Sequence, residues 1–269
     1  MIYLLLIFLF SFSSIGNAAN QDSFPAPNPL PHVTSQMLSA GYWISHHPDP
    51  DRLLMSIDEI KNFNFHVRED LKLTKDIFYL VDHFQTEALM DVLKKNLSDF
   101  TDKGFYTAAG ARDDSSMMEK IKSNMHLSGL VLGIAPRYGI VVHLTDQRIL
   151  PTTEGLYAQR GDFDFDELQN SALDVGTPVA IIHKSSDGKW FYVLSSLSDG
   201  WVKASDVAIC DDKVAKIFAE SKDFIVSIAP KADLFLDTTL VKNYDVLRMG
   251  ASLPLLKEEE DYWTVQIPN

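Results

Sequence analysis

A chain of 269 residues exceeds a single domain of roughly 100 to 150 residues, so two or three small domains are expected. The formal net charge of −13 excludes nucleic acid and anionic membrane surfaces as partners, because both demand concentrated Lys and Arg. Cys210 is the sole cysteine, which excludes an internal disulfide framework and leaves the domains to stand on packing alone.

The opening segment MIYLLLIFLFSFSSIGNA is apolar from Ile2 to Phe12 and ends in the small-x-small pattern Gly16, Asn17, Ala18. This is the pattern of a secretory signal over residues 1–18, cleaved after Ala18 or Ala19. The apolar run is too short to cross a bilayer, which takes about 20 residues. The mature chain is therefore expected in the periplasm or outside the cell, with no stable membrane span after cleavage. Residues 19–50, opening with FPAPNPLP, read as a Pro-rich extended arm, since each proline removes a donor and biases its predecessor away from helix.

Residues 51–128 read as a small helical domain. Ser56 with Glu59 makes a capping-box pattern ahead of Ile57, Ile60 and Phe63 at helical spacing, predicting a helix over 57–66. Leu89, Val92, Leu93, Leu97 and Phe100 form one apolar stripe in TEALMDVLKKNLSDF, and Gly104 stops that second helix. Ser116 and Glu119 repeat the capping-box pattern for a third helix that ends before Gly129.

The period then falls to two. GIVVHLTDQRILPT, GTPVAIIHK and KWFYVLSS are short β-branched or aromatic runs bounded by turn residues, the signature of a small barrel or sandwich over residues 129–210. Asp187-Gly188 is read as a tight hairpin turn. Beyond it Trp190, Tyr192 and Leu194 alternate with Phe191 and Val193, so one of the two sets faces the barrel interior.

Residues 211–269 repeat part of this pattern. GTPVAIIHKSSDGKWFYVLSS parallels GASLPLLKEEEDYWTVQIP, and GIVVHLTDQRILPT parallels FIVSIAPKADLFLDT. The first copy has a longer loop, TEGLYAQRGDFDFDELQNSALDV, and continues past its Trp hairpin through GWVKASDVAI. An equivalent of Gly200-Trp201-Val202 in the second copy falls past Asn269, so the second barrel is expected to be incomplete, with a bare sheet edge. The fold class is thus α+β and multidomain: a small helical N-terminal domain followed by small β-barrels, the second one incomplete.

GYWISHHPDPDRLLMSIDEIKNFN, RILPT, DELQNSALDVGTPVAIIHKSSDGKWFYVLSS and GWVKASDVAI together resemble the amino-terminal region of bacterial NlpC/P60 cell-wall peptidases. That resemblance implies an N-terminal stabilising domain and two bacterial SH3 barrels ahead of a papain-like peptidase domain. The family hydrolyses γ-D-glutamyl to diamino-acid bonds in peptidoglycan stem peptides with a Cys/His/His-type triad. Its first barrel lies beside the catalytic cleft and helps restrict it to peptides with a free amino terminus. A DCSG-like nucleophile segment does not occur in residues 1–269. These residues alone are therefore expected to be inactive, with no catalytic residue, cofactor or metal assigned, and with a downstream peptidase domain as partner if the chain is a fragment. The competing reading is a free-standing SH3-type module that binds peptidoglycan peptides or a protein without hydrolysing anything.

Candidate binding residues lie in the first barrel. In DFDFDEL, three Asp residues alternate with Phe163 and Phe165, so the carboxylates are expected on one side and the rings on the other. By the resemblance this is the long ligand-facing loop of an SH3 barrel. Asp166 or Glu167 would hold the free α-ammonium of a muropeptide through a charge-assisted hydrogen bond, against the plainer reading of a solvated loop pinned by its two Phe rings. Tyr192 and Trp201 are further ligand-binding candidates as an aromatic platform, against core packing. Cys210 precedes Asp211 and Asp212, which oppose a thiolate, so it is read as inert. His46 and His47 diverge in extended structure and are read as loop anchors, not metal ligands.

Overall fold

A computed structural model of the chain describes residues 4–8, 31–79, 86–101, 103–112, 115–130 and 136–268. Most of the expected leader and the arm up to residue 30 lie outside the described residues. Two compact units emerge, one of residues 11–72 and the other of residues 73–269 with the first ten. The division falls inside the segment expected as one helical domain.

The smaller unit carries helices α1 (Ala40–His46) and α2 (Ile57–Glu69). The Ser39 hydroxyl caps α1 by accepting from Tyr42 N–H. The α2 capping box forms as the spacing predicts: Ser56 N–H donates to Glu59 Oε2 at 2.7 Å, and Glu59 N–H donates to Ser56 Oγ at 3.3 Å. These two bonds satisfy orphan donors at the helix start. The α2 residues Ile57, Ile60 and Phe63 are exposed.

The larger unit runs through β1 (Leu4–Phe8), α3 (Thr86–Thr101), β2 (Tyr106–Thr107), α4 (Ser115–Met125), β3 (Arg137–Val141), β4 (Thr145–Arg148) and β5 (Leu156–Tyr157). There follow β6 (Gln169–Leu173), β7 (Pro178–Lys184), β8 (Trp190–Leu194), β9 (Asp199–Lys203), β10 (Val207–Cys210) and α5 (Asp212–Ala219). The chain closes with β11 (Phe224–Val226), β12 (Lys231–Phe235), β13 (Asn243–Arg248), β14 (Ser252–Glu258) and β15 (Trp263–Ile267). Helix α4 begins one residue before Ser116, so Ser116 stands in the first turn instead of capping it.

The first sheet has strand order β10-β3-β7-β8-β9-β4-β6, antiparallel throughout. Its interior is a cluster of Val141, Leu173, Val179, Ile181, Phe191, Val193, Val202 and Val207. The other face is covered as well. Trp190, Tyr192, Leu194 and Trp201 pack in one cluster with Leu89, Leu93, Met118, Ile121 and Met125 of α3 and α4. Every residue of β8 is consequently buried, and Leu89, Leu93 and Phe100 of the α3 stripe are buried in the same cluster, while Val92 is exposed. The alternation in WFYVL thus divides two apolar environments, with Phe191 and Val193 in the barrel and the remainder under the helices.

The β7–β8 hairpin turns through Gly188 at φ +72°, where the Asp187 carboxylate accepts from Ser185 Oγ at 2.6 Å and from Lys189 N–H at 2.9 Å.

The second sheet has strand order β11-β14-β15-β1-β12-β13. Strand for strand this matches β3-β7-β8-β9-β4-β6 of the first. Gly176 and Gly250, the paired glycines of the repeat, both adopt left-handed backbone, at φ +89° and +88°. The bare edge expected beside Trp263–Ile267 is not bare. Strand β1 pairs with β15 on one side and β12 on the other, because a five-residue apolar strand satisfies backbone groups that an open slot would leave unpaired.

The two sheets meet over polar clamps. Arg248 grips Asp174 with Nε–Oδ1 and Nη2–Oδ2 both at 2.8 Å, and Nη2 also donates to Ala172 O at 3.0 Å. Asp245 accepts from Leu144 N–H at 3.0 Å, and Tyr244 Oη donates to Val142 O at 2.7 Å. A Cβ at Gly176 would stand 2.9 Å from Ser252 O, so the first copy's turn needs glycine both for its φ and for this approach.

Candidate functional site

The long loop between β4 and β6 is organised by one carboxylate. Arg148 is almost wholly buried, and its Nη1 donates to Asp166 Oδ2 at 2.9 Å. Asp166 Oδ1 accepts two backbone N–H groups, from Leu156 and Leu168, both at 3.0 Å. The second Arg148 nitrogen, Nη2, donates to Glu154 O at 2.7 Å. Leu150, Leu156 and Leu168 fill the space beneath with no exposed surface. A charge out of water requires an opposite partner; Asp166 supplies it to Arg148, whose Nε has no hydrogen-bond partner among the described residues.

This arrangement revises the loop reading. Phe163 and Phe165 are 54 % and 69 % exposed, so the leucines and the Arg148–Asp166 pair pin the loop and the rings face solvent. Phe163 makes an edge contact with Tyr157 at 5.2 Å between centroids. Glu167 is partly exposed, and its backbone N–H donates to Leu156 O at 2.8 Å. Its carboxylate makes no hydrogen bond or ion pair among the described residues, whereas that of Asp166 is already occupied.

Tyr192 and Trp201 lie behind Arg148 in the same row. Cross-strand register places His183 opposite Tyr192, Tyr192 opposite Trp201, Trp201 opposite Arg148, and Arg148 opposite Gln169. The Trp201 ring meets Tyr192 and His183 edge-on at 5.5 and 5.9 Å. Tyr192 and Trp201 are both buried, so they sit under the loop, joined to Asp166 through Arg148. Trp201 Nε1 has no hydrogen-bond partner among the described residues, and a buried donor left so costs about 1–3 kcal/mol. Packing is what holds the indole.

At the other end of this row is a charged triad. Tyr192 Oη donates to Asp199 Oδ2 at 2.5 Å, and Lys75 Nζ donates to Asp199 Oδ1 at 2.8 Å. Burial pushes the Asp199 carboxyl up, but the Lys75 and Tyr192 hydrogen bonds outweigh it and hold the group below the ordinary carboxylate value. Burial first, then the Asp199 charge, pushes the Tyr192 phenol well up. Asp199 borders a cleft of about 360 Å³ with Val92, Asn96, Ile149, Asn170, Ser198 and Gly200. The sequence pattern points to none of Arg148, Lys75 and Asp199. An arginine inside the apolar run of the first barrel was the available signal for Arg148, while Lys75 and Asp199 meet across 124 positions.

The remaining candidates resolve simply. Burial, then Asp211, pushes the Cys210 thiol up to about 11, and Asp211 is also spent capping α5 at Val214 N–H. His183 is neutral-leaning: burial lowers its pKa, and its Nε2 lies 2.9 Å from Met125 O. His46 Nδ1 lies 2.7 Å from Tyr42 O, and His47 Nδ1 accepts from Asp49 N–H at 3.2 Å. Among the described residues no group of three or more His, Cys, Asp or Glu is placed to hold a metal ion. Nor is any described helix long and apolar enough to cross a membrane.

Residues 156–203 match the family of SH3 domains of the SH3b1 type. This span covers the second half of the stapled loop and strands β6 to β9. Among solved structures, the chain is similar to an NlpC/P60 endopeptidase from Photobacterium damselae subsp. piscicida, with a TM-score of 0.55 and 23 % identity over 67 % of this chain and 42 % of the other. At that identity the likeness is one of fold, and the chain spans less than half the length of that enzyme. No curated protein matches the chain. The protein is thus a mixed α+β chain with an SH3-like domain.

Proposed function

We propose that this chain is the noncatalytic, substrate-gating and cell-wall-binding region of an NlpC/P60 γ-D-glutamyl-diamino-acid endopeptidase, exported to the periplasm or the cell exterior. Its second sheet is read as a further SH3-like barrel. The observation that carries the reading is the stapled loop that runs into the SH3b1 match at residues 156–203: Arg148, ahead of the matched residues, and Asp166, within them, fix the backbone that presents Glu167, Phe163 and Phe165.

On this reading recognition is by positioning. A rigid loop costs little entropy to dock, so a peptide end that fits is favoured over one that does not. Glu167, with an unengaged carboxylate beside the staple, takes the α-ammonium of a peptidoglycan stem peptide, and Asp166 supports that position. Tyr192 and Trp201 act from beneath, by holding Arg148 and the loop in register. The test is titration of the full chain with muropeptides bearing free or acetylated amino termini. Tighter binding of the free amine, lost in Glu167→Gln, is the expected result. Equal affinity for both would remove the amine-recognition role.

A further inference from the structure

The end of α4 is tied to the β7–β8 hairpin through Asn124 and Met125. Ser186 N–H donates to Asn124 O at 2.9 Å, and Ser186 Oγ and Asp187 N–H donate to Asn124 Oδ1 at 3.1 and 3.2 Å. A further bond joins His183 Nε2 to Met125 O at 2.9 Å. A carbonyl only accepts, so Nε2 carries the proton of the neutral ring and Nδ1 carries none. Both partners of that bond are buried, Met125 completely. His126 then ends the helix in left-handed backbone, φ +51°, with its ring over Gly129 and 6.2 Å from the ring of His183.

We propose that His183 is an acid-released latch: in its neutral form it holds the end of α4 on the hairpin, and on gaining a second ring proton it lets that end go. The imidazolium finds no free carboxylate among the described residues around it. The two rings border a cavity of about 630 Å³ together with Arg137 of β3, Lys184 of β7 and Asp187 of the hairpin. Arg137, Lys184 and a protonated His126 repel a charge on His183, and the Asp187 carboxylate is taken by Ser185 Oγ and Lys189 N–H. On the strand side His183 faces Tyr192 and Trp201, and the Arg148 guanidinium beyond them adds another like charge. A buried charge without a partner is relieved by reaching water. The helix end, tied by bonds that lie at the surface, is the cover that can lift.

Burial, the largest influence, holds the His183 pKa below its ordinary value; the His126 charge acts in the same direction, and the bonds to the Met125 and His126 backbone oppose it. Docking is therefore complete above the unperturbed value of roughly 6.5 and weakens as pH falls through it towards the lower, docked value. Asn124 and the hairpin also wall a cavity of about 650 Å³ lined by Trp190, Lys203 and Thr152, so release reshapes the barrel surface there. This inference does not rest on wall binding.

Amide exchange on the full chain tests it, between about pH 7 and about pH 5, above the range in which ordinary carboxylates protonate. The Ser186 amide, bonded to Asn124, is expected to lose protection several-fold more than the Val141 amide, bonded to Thr177. His183→Gln keeps a donor but cannot charge, and should abolish that difference. His126→Asn, which suits left-handed backbone and removes the facing charge, should move it to lower pH. An equal loss in His183→Gln, or none in the parent chain, would overturn the latch. Poor folding of a variant is covered by NMR titration of the parent's histidine rings. The His183 midpoint is expected to coincide with shifts of the Asn124 and Ser186 amides. Amides that stay in place while His183 titrates, or a His183 ring that stays neutral until the chain unfolds, sink the idea.

Discussion

Arg148 and Asp166 form an ion pair of 2.9 Å whose side chains are 7 % and 21 % exposed. It is the point at which strand β4 and the barrel's longest loop become one body. The guanidinium stands in the cross-strand row of Trp201 and Tyr192, and the carboxylate closes the loop onto Leu156 and Leu168. Loop order is therefore inherited from the strand.

Removing one partner should be costly. Asp166→Ala leaves a buried guanidinium and two backbone N–H groups unpaired, and should destabilise the chain by about 3–5 kcal/mol, the range for breaking a buried pair. Arg148→Met should cost less, because the same side-chain volume remains and Asp166 keeps its backbone donors. The double variant should lose less than the sum. Urea unfolding of the three variants measures this, and strict additivity would contradict the coupling.

Gly200 should not tolerate a side chain. A Cβ there would stand 2.8 Å from both Arg148 O and Gln147 Cγ. Gly200→Ala therefore forces β4 and β9 apart, with an expected loss of about 1–3 kcal/mol as in other overpacked sites. A thermal unfolding midpoint equal to that of the parent chain would refute it.

Acid stability should depend on the Lys75–Asp199–Tyr192 triad. The Asp199 carboxyl is held below its ordinary value, and the unfolded reference is roughly 3.9. The stability it contributes is thus complete above that reference and lost as pH falls through the lower, folded value. Tyr192→Phe and Lys75→Met each remove a hydrogen bond that lowers this pKa, so the acid limb of their stability curves should move to higher pH. Unfolding free energies measured from pH 2 to 6 provide the check, and superimposable limbs would count against the triad.

Glu167→Gln should weaken binding of free-amine muropeptides about tenfold or more, the equivalent of one hydrogen bond to a charged group at about 1.5–3 kcal/mol. The melting temperature should be unchanged, because the carboxylate carries no structural partner among the described residues. Calorimetric titration with free and acetylated peptides separates the two effects.

Cys210 should be a poor nucleophile. With the thiol pushed up to about 11, its thiolate fraction at pH 8 lies about two orders of magnitude below that of an unperturbed thiol of pKa near 8.5. Alkylation by iodoacetamide should be slower in proportion. A rate like that of a free peptide thiol would show that burial and Asp211 do not act as described.

Much of the local structure was legible because it depends on near neighbours. The Ser56–Glu59 capping box, the Leu89–Phe100 stripe and the Asp187-Gly188 turn each follow from residues within a few positions. The site was legible only in part. The alternation of DFDFDEL marks Asp166 as a carboxylate on one side of the loop, but not its partner Arg148, which reaches it across 18 positions. Phe163 and Phe165 were given an inward option by alternation, yet the leucines on either side of them are what the core accepts. Ser116 stands two residues past the capping position, the ordinary uncertainty of a helix start.

The amino-acid order by itself determined periodicity, turns and the internal repeat, since these are set by backbone sterics and spacing along the chain. It could not determine which apolar set on β8 faces the barrel, because both sets are buried. Nor could it announce that Lys75 meets Asp199, or that Leu4–Phe8 pairs with Trp263–Ile267. Those outcomes depend on which surfaces remain uncovered after the sheets form, and only the folded chain decides that.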